Sequence, residues 1–154
     1  MNDTPTTVAI ERLVPHRGGM LWLDRVLHVD EDLVVAEAVV RDDHPLLADD
    51  AIPAFAGLEY MAQAIAAWAG ARALARGEPA RPGFLLGTRR FLASVDTLPL
   101  GTPLRIEARR ELFGDNGVGL FACVLSTGGT ELATANVSVF EPPDADAFLK
   151  EHSA

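Results

Sequence analysis

The chain has 154 residues, is 49% hydrophobic and carries a formal net charge of −9. That is enough apolar material for one domain with a full core, and the acidic balance argues against nucleic acid as a general partner. A single cysteine, Cys123, excludes an intramolecular disulfide framework and suits a reducing, cytoplasmic compartment. The opening MNDTPTTVAIER has neither the basic start nor the apolar run of a signal peptide.

The charge is unevenly placed. Residues 72–110 hold eight Arg against Glu78, Asp96 and Glu107. This basic middle suits either docking of an acidic partner or a set of solvated strand faces.

In chain order, residues 8–13 read as a short helical turn leading into PHRGGMLWLDRV. Residues 21–29 are strand-like, Asp30-Glu31-Asp32 is a turn, and LVVAEAVV (residues 33–40) is the return strand. RDDHPLLADDAIP follows as a polar loop carrying His44.

The stretch around which the chain is organised covers residues 53–76, PAFAGLEYMAQAIAAWAGARALAR. It is Ala-rich, opens on Pro53, has Asp49 or Asp50 upstream as a possible cap and Gly77 where a helix usually stops. The pattern predicts one helix of about 36 Å, apolar nearly all round and therefore buried on most faces. Only Glu59 and Gln63 are strongly polar within it, and their spacing of four puts them on one face. An unpaired buried carboxylate is expensive, so Glu59 either stays protonated, is matched by a buried Arg, or has a function. A membrane span does not fit, because Glu59 is near the centre and Ala and Gly add little hydropathy.

GEPARPG after the helix is a connection. FLLGTRRF (residues 84–91) is a strand, followed by a link through Pro99 and Pro103. Residues 104–111 alternate with period two, GDNG is a hairpin turn, and VGLFACVLS and ELATANVSVF are strands joined at TGG. The tail from Glu141 is Pro- and Asp-rich and suits a fraying end with one terminal helical turn. One long helix with about six antiparallel strands is an α+β arrangement, in which a curved sheet wraps the helix. The whole chain, 1–154, reads as one domain, with residues 1–7 and 142–154 as loosely ordered ends.

Four histidines are present, none at a metal-ligand spacing, so no metal is expected. GDNG lies between strands and is no phosphate cradle, no Gly-x-Ser-x-Gly elbow exists, and Cys123 sits mid-strand as a buried thiol. His44, followed by Pro45 and 15 positions before Glu59, could act with that carboxyl group as an acid–base pair. A surface histidine is the commoner state of a lone loop His, and spacing alone does not overturn that reading.

PHRGGMLWLDRV, then DHP, then IPAFAGLEYMAQA resembles the hotdog-fold 3-hydroxyacyl-acyl-carrier-protein dehydratases. GLEYMAQAIAAWAG and GFLLGTRRF look like the branch associated with aryl-polyene pigment synthesis. The resemblance covers residues 12–140. It departs at Ala54, where the family usually has Gly, and at Asp43 before the loop His.

The resemblance implies a hotdog fold and dehydration of a 3-hydroxyacyl thioester to a trans-2-enoyl thioester, in fatty-acid or polyene-type synthesis. His44 and Glu59 match the catalytic pair, with His44 the base and Glu59 a protonated acid. Gln63 matches the residue that supports the acid, and His16 matches a structural position. Ala54, Phe55 and Gly57 would meet the substrate through the helix N-terminus, and Phe55, Leu58, Phe84, Leu86 and Trp68 would line its tail. No cofactor is implied beyond the phosphopantetheine arm of an acyl carrier protein, which Arg89 and Arg90 would dock. The implied assembly is a homodimer, with a heterodimer of two hotdog subunits possible, in which His of one subunit meets Glu of the other. Neither nucleic acid nor membrane is an implied partner. A thioesterase and a non-catalytic partner subunit are the alternatives.

Overall fold

The computed structural model describes residues 8–78 and 84–141, with the side chain of Phe84 excepted. Eight strands and one α-helix follow in the order β1 (Arg25–Val29), β2 (Leu33–Val39), β3 (Ala51–Pro53), α1 (Gly57–Ala75), β4 (Phe84–Ala93), β5 (Thr97–Pro99), β6 (Pro103–Phe113), β7 (Val118–Thr127) and β8 (Thr130–Phe140). Short 3-10 turns occupy Ile10–Arg12, Gly18–Met20 and Ala54–Ala56.

Six strands form one antiparallel sheet in the order β1-β2-β6-β7-β8-β4, and β3 pairs with β5 in a separate ribbon. Alternation decides which face the sheet buries. Leu104, Ile106 and Ala108 of β6, Phe121, Cys123 and Leu125 of β7, and Ala133, Ala135 and Val137 of β8 all point at α1. From Gly57 through Leu74 no residue of α1 is exposed, as its apolar circumference requires. This is the hotdog fold, and its core lies between the helix and the concave face of the sheet.

The turns follow their sequence chemistry. Asp30 Oδ1 accepts from the N–H groups of Asp32 and Leu33 at 2.8 and 2.9 Å and closes the β1–β2 hairpin. In GDNG, Gly117 takes φ +86, and a Cβ there would lie 2.2 Å from the Glu141 carbonyl oxygen. The helix ends as Gly77 suggested. Gly77 N–H bonds to Leu74 O and Glu78 N–H to Ala73 O, the paired bonds of a Schellman cap.

Several expectations are corrected. The helix begins at Gly57, not Pro53, because residues 51–53 are drawn into the ribbon with β5 and residues 54–56 form a 3-10 turn. Asp49 and Asp50 do not cap it; both sit at positive φ in the turn before β3. The first strand is confined to Arg25–Val29, since residues 18–20 form a 3-10 turn and Trp22 N–H bonds to the Gln63 side chain. The link through Pro99 contains β5. Most of GEPARPG and the tail after Glu141 lie outside the described residues.

Gly70 marks the closest approach of the helix to the N-terminal segment. A Cβ on it would fall 1.8 Å from the Leu13 carbonyl oxygen, backbone that has no rotamer with which to yield. Gly70→Ala should therefore destabilise the fold by about 1–3 kcal/mol or more, despite the roughly 1 kcal/mol that Ala gains in helix propensity. Denaturant unfolding checks this; an unchanged midpoint would show that the two segments are not in contact.

Candidate active site

Glu59, Ala62, Ala66 and Ala69 form one stripe of the helix, three or four residues apart. The alanines leave space that larger side chains would fill. With Ile65 and Trp68 they floor a pocket of about 170 Å³. Its apolar walls are Leu85, Phe113, Val139 and Phe140, and its polar lining residues are His16, Glu59 and Glu141. Trp68 is fixed from three sides. Its ring meets Phe113 and Phe121 edge-on at 5.3 and 5.1 Å, its Nε1–H donates to the carbonyls of Asp30 and Glu31, and the Arg72 guanidinium lies 4.8 Å from the ring centroid.

Glu59 is half-buried at the mouth of this pocket. Gln63 Nε2 donates to Glu59 Oε1 at 3.0 Å, and His16 Nε2 lies 3.5 Å from the same oxygen. Burial by itself would raise the carboxyl pKa, but the hydrogen bonds from His16 and Gln63 outweigh it and hold Glu59 below the usual range. The protonated Glu59 expected from its apolar helix is thus corrected: two donors that arrive from its own face and from the N-terminal segment keep it ionised. Gln63 supports Glu59 as expected, and it does more. The residue is fully buried, its Oε1 accepts from Trp22 N–H at 2.9 Å, and its Nε2 donates to Met20 O at 2.8 Å.

His44 lies in a different environment of the same chain. Its ring is 4.1 Å from that of Trp22 and 6.1 Å from that of Tyr60, measured between centroids. Leu46 N–H donates to His44 Nδ1 at 3.1 Å, a local turn stiffened by Pro45. That bond assigns the ring proton to Nε2, which is enclosed without a partner among the described residues, as is the Tyr60 hydroxyl. Desolvation, with Arg41 nearby, lowers the His44 pKa, against which Asp43 acts weakly. Burial pushes the Tyr60 hydroxyl up to about 12.

Within one chain, then, Glu59 is brought to His16 and Gln63, while His44 is brought to Trp22 and Tyr60. His16, read from sequence as structural, faces the carboxylate. The expected substrate contacts separate. Ala54 N–H donates to Asp96 O at 2.9 Å, and Gly57 N–H turns back to the Ala54 carbonyl, so neither amide is available to a ligand. Phe55 is 65% exposed beside them. Of the expected tail contacts Trp68 lines the pocket, whereas Phe55, Leu58 and Leu86 are not among its walls, and the Phe84 side chain lies outside the described residues. Phe113, Val139 and Phe140 also line the pocket, brought in by long-range strand register that no local pattern reveals.

Much of the basic middle is internally matched. Arg105 pairs with Glu107, Arg110 with Asp32, and Arg76 with Glu78. Arg89 and Arg90 stand exposed on β4, and Arg90 takes φ +55 where the β4–β8 register shifts. Cys123 is buried, its thiol pushed up to about 12 by desolvation. Among the described residues no cluster suited to a metal ion occurs, and no helix is long and apolar enough to cross a membrane.

A carboxylate set on the central helix beside an apolar pocket, inside this fold, defines a hotdog protein with a candidate acid–base site. The chain belongs to the ApeP-like dehydratase family, described as ApeP dehydratase, which matches residues 8–150. The dehydratase heterocomplex ApeI:P from Xenorhabdus doucetiae is similar at 28% identity and a TM-score of 0.86, over 96% of this chain and 100% of that one. More distant neighbours share the fold. A mutant of the phenylacetic acid degradation protein PaaI from Thermus thermophilus matches at 20% identity and TM-score 0.58, over 79% of this chain and 94% of that one. A hypothetical thioesterase from Streptococcus pneumoniae, solved with coenzyme A, matches at 12% and 0.58, over 75% and 82%. No curated relative matches.

The lowered pKa of His44 carries a stability signature. Between its unfolded value of 6.5 and the lower folded one, the unfolded chain binds a proton that the folded chain refuses, so stability falls as pH drops through that window. Replacing His44 with Gln should remove that contribution. The difference between wild-type and variant unfolding free energies should slope as pH falls below about 6.5 and be level above about pH 8. A difference that stays level throughout would place His44 in solvent.

Proposed function

We propose that the protein dehydrates a 3-hydroxyacyl thioester, carried on the phosphopantetheine arm of an acyl carrier protein, to the trans-2-enoyl thioester. The observation that carries this reading is Glu59 on the central helix, its Oε1 held by His16 and Gln63 and its side chain lining an apolar pocket. The acyl tail lies in that pocket along Ile65, Trp68, Phe113 and Phe140, and the thioester sits at its mouth.

Elimination needs a base for the proton on C2 and a donor toward the hydroxyl leaving C3. The resemblance assigns the first role to His44 and the second to Glu59. Two observations favour Glu59 in the first role as well: hydrogen bonds from His16 and Gln63 hold its carboxyl group below the usual range, and the only lone pair of neutral His44 is occupied by Leu46 N–H. In the proposed reaction Glu59 takes the C2 proton, and the electron pair moves onto the thioester oxygen. The amide of Phe55, at the positive end of the helix, stabilises that oxygen. The pair then returns to form the double bond, the C3–O bond breaks, and Glu59 gives its proton to the departing hydroxyl. His44 Nε2–H donates a hydrogen bond to the same oxygen. Water and enoyl thioester leave, and Glu59 is again a carboxylate.

His44 and Glu59 belong to separate environments of one chain, so the reading places them together across a subunit boundary. Two copies of this chain would supply that boundary, while the similarity to the ApeI:P heterocomplex also supports a second hotdog subunit of different sequence, against which His44 and Glu59 would each face that subunit's groups instead. The outer edge of β4, where Leu86 and Leu92 are exposed, is the surface it would use. The enclosure of His44 Nε2 also favours a second reading, in which this chain is the supporting subunit and its partner supplies the complete site.

Assay of the chain with and without the partner subunit separates these. Glu59→Gln should lower kcat for a 3-hydroxyacyl thioester about a thousandfold and His44→Ala about a hundredfold, with enoyl product and no free thiol. Unchanged turnover in both variants makes this chain the supporting subunit, and thiol release makes it a thioesterase. Reversing Arg89 and Arg90 to Glu should raise KM for carrier-borne substrate at least about tenfold and leave KM for a small thioester unchanged. Equal effects on the two substrates would remove the carrier-docking role.

A further inference from the structure

The groups around Glu59 include one that the reaction as proposed does not use. His16 stands 43 positions before Glu59 in the chain, yet its Nε2 lies 3.5 Å from Glu59 Oε1. Its position is built from several contacts. The Arg17 guanidinium donates to the carbonyls of Glu11, Val14 and His16 itself, which folds residues 11–17 into a compact arch. Gln63 then fastens the far end of that arch to the helix through Met20 O and Trp22 N–H. The imidazole is pinned between these two anchors with its Nδ1 enclosed and without a partner among the described residues, so its recorded polar contact is with Glu59 alone.

We infer that His16 is a positioning residue for Glu59. It donates from Nε2 to Oε1, keeps the carboxyl group ionised, and turns Oε2 toward the pocket. The carboxylate half of the site is thereby assembled within a single chain, independent of any partner. Two donors on one oxygen make the two oxygens inequivalent: Oε1 is committed, and Oε2 is the atom with a lone pair free to take a proton. The other titratable group on the pocket lining is Glu141, just after β8. On the helix itself Gln63 supplies the second donor, and Arg72 is engaged with the Trp68 ring. The charge state of Glu59 therefore depends on His16 and Gln63 together. The catalytic consequence rests on the dehydratase reading, whereas the effect on the Glu59 carboxyl group does not.

The test is a carbon-13 NMR titration of the Glu59 carboxyl group in the full chain, assigned by its disappearance in Glu59→Gln. In His16→Leu the midpoint should rise by about one pH unit, because the ionised form loses a donor. His16→Gln can still place an N–H near the same point and should keep the midpoint within a few tenths of a unit. His16→Asn, polar but too short, should behave like His16→Leu and covers the case in which Leu perturbs the arch. With a 3-hydroxyacyl thioester the acidic limb of kcat should move by the same amount in His16→Leu, at unchanged KM. An unmoved carboxyl midpoint in both His16→Leu and His16→Asn overturns the inference, even if turnover is normal. A moved midpoint in a protein that never dehydrates the substrate upholds the inference and removes the dehydratase reading instead.

Discussion

One buried amide holds the functional region together. The Gln63 side chain is fully enclosed and makes three hydrogen bonds, to Trp22 N–H, Met20 O and Glu59 Oε1. An enclosed donor or acceptor left without a partner costs roughly 1–3 kcal/mol, so these bonds are mutually enforcing: each group is satisfied only when all are in place. On one side of this clamp the N-terminal segment delivers His16 to Glu59. On the other it delivers Trp22 to His44 and Tyr60. The two environments differ in chemistry but share one anchor. The same bond explains why the first strand starts late, since the backbone N–H that would have extended β1 toward residue 22 is spent on a side chain.

Much of the fold was legible because it depends on local pattern. Period-two alternation marked β6, apolar runs between turn residues marked β2, β7 and β8, GDNG and Asp30-Glu31-Asp32 marked turns, and the all-round apolar helix with its Gly77 stop marked what the sheet must enclose. The ribbon of β3 and β5 was not legible. Three residues each, both containing Pro, carry no periodicity, and their pairing only makes sense once the Asp96 carbonyl has captured Ala54 N–H.

The site was legible as residue types and not as states. Glu59 and Gln63 stood out because they interrupt an apolar cylinder, and Gln63 at i+4 had to face Glu59. Whether that carboxyl group is charged could not be read, because desolvation and hydrogen bonding push in opposite directions and the deciding donor comes from residue 16. The tautomer of His44 is likewise a tertiary fact, set by whether Leu46 N–H or a carbonyl meets Nδ1. Of the pocket only Trp68 was foreseen among the tail contacts, while Phe113, Val139 and Phe140 came from registers fixed tens of residues away.

The kink in β4 has a consequence for how the protein survives before it finds company. A long, flat border lined with leucines invites any passing strand to zip onto it in many alignments, the first step toward precipitation. Arg90 at φ +55 breaks that flatness between Arg89 and Leu92, and two adjacent arginines sit at the break. Alignments that slide past the kink lose their ladder, so the irregularity acts as a key. It narrows the permitted neighbours to those whose own backbone accommodates the same bend.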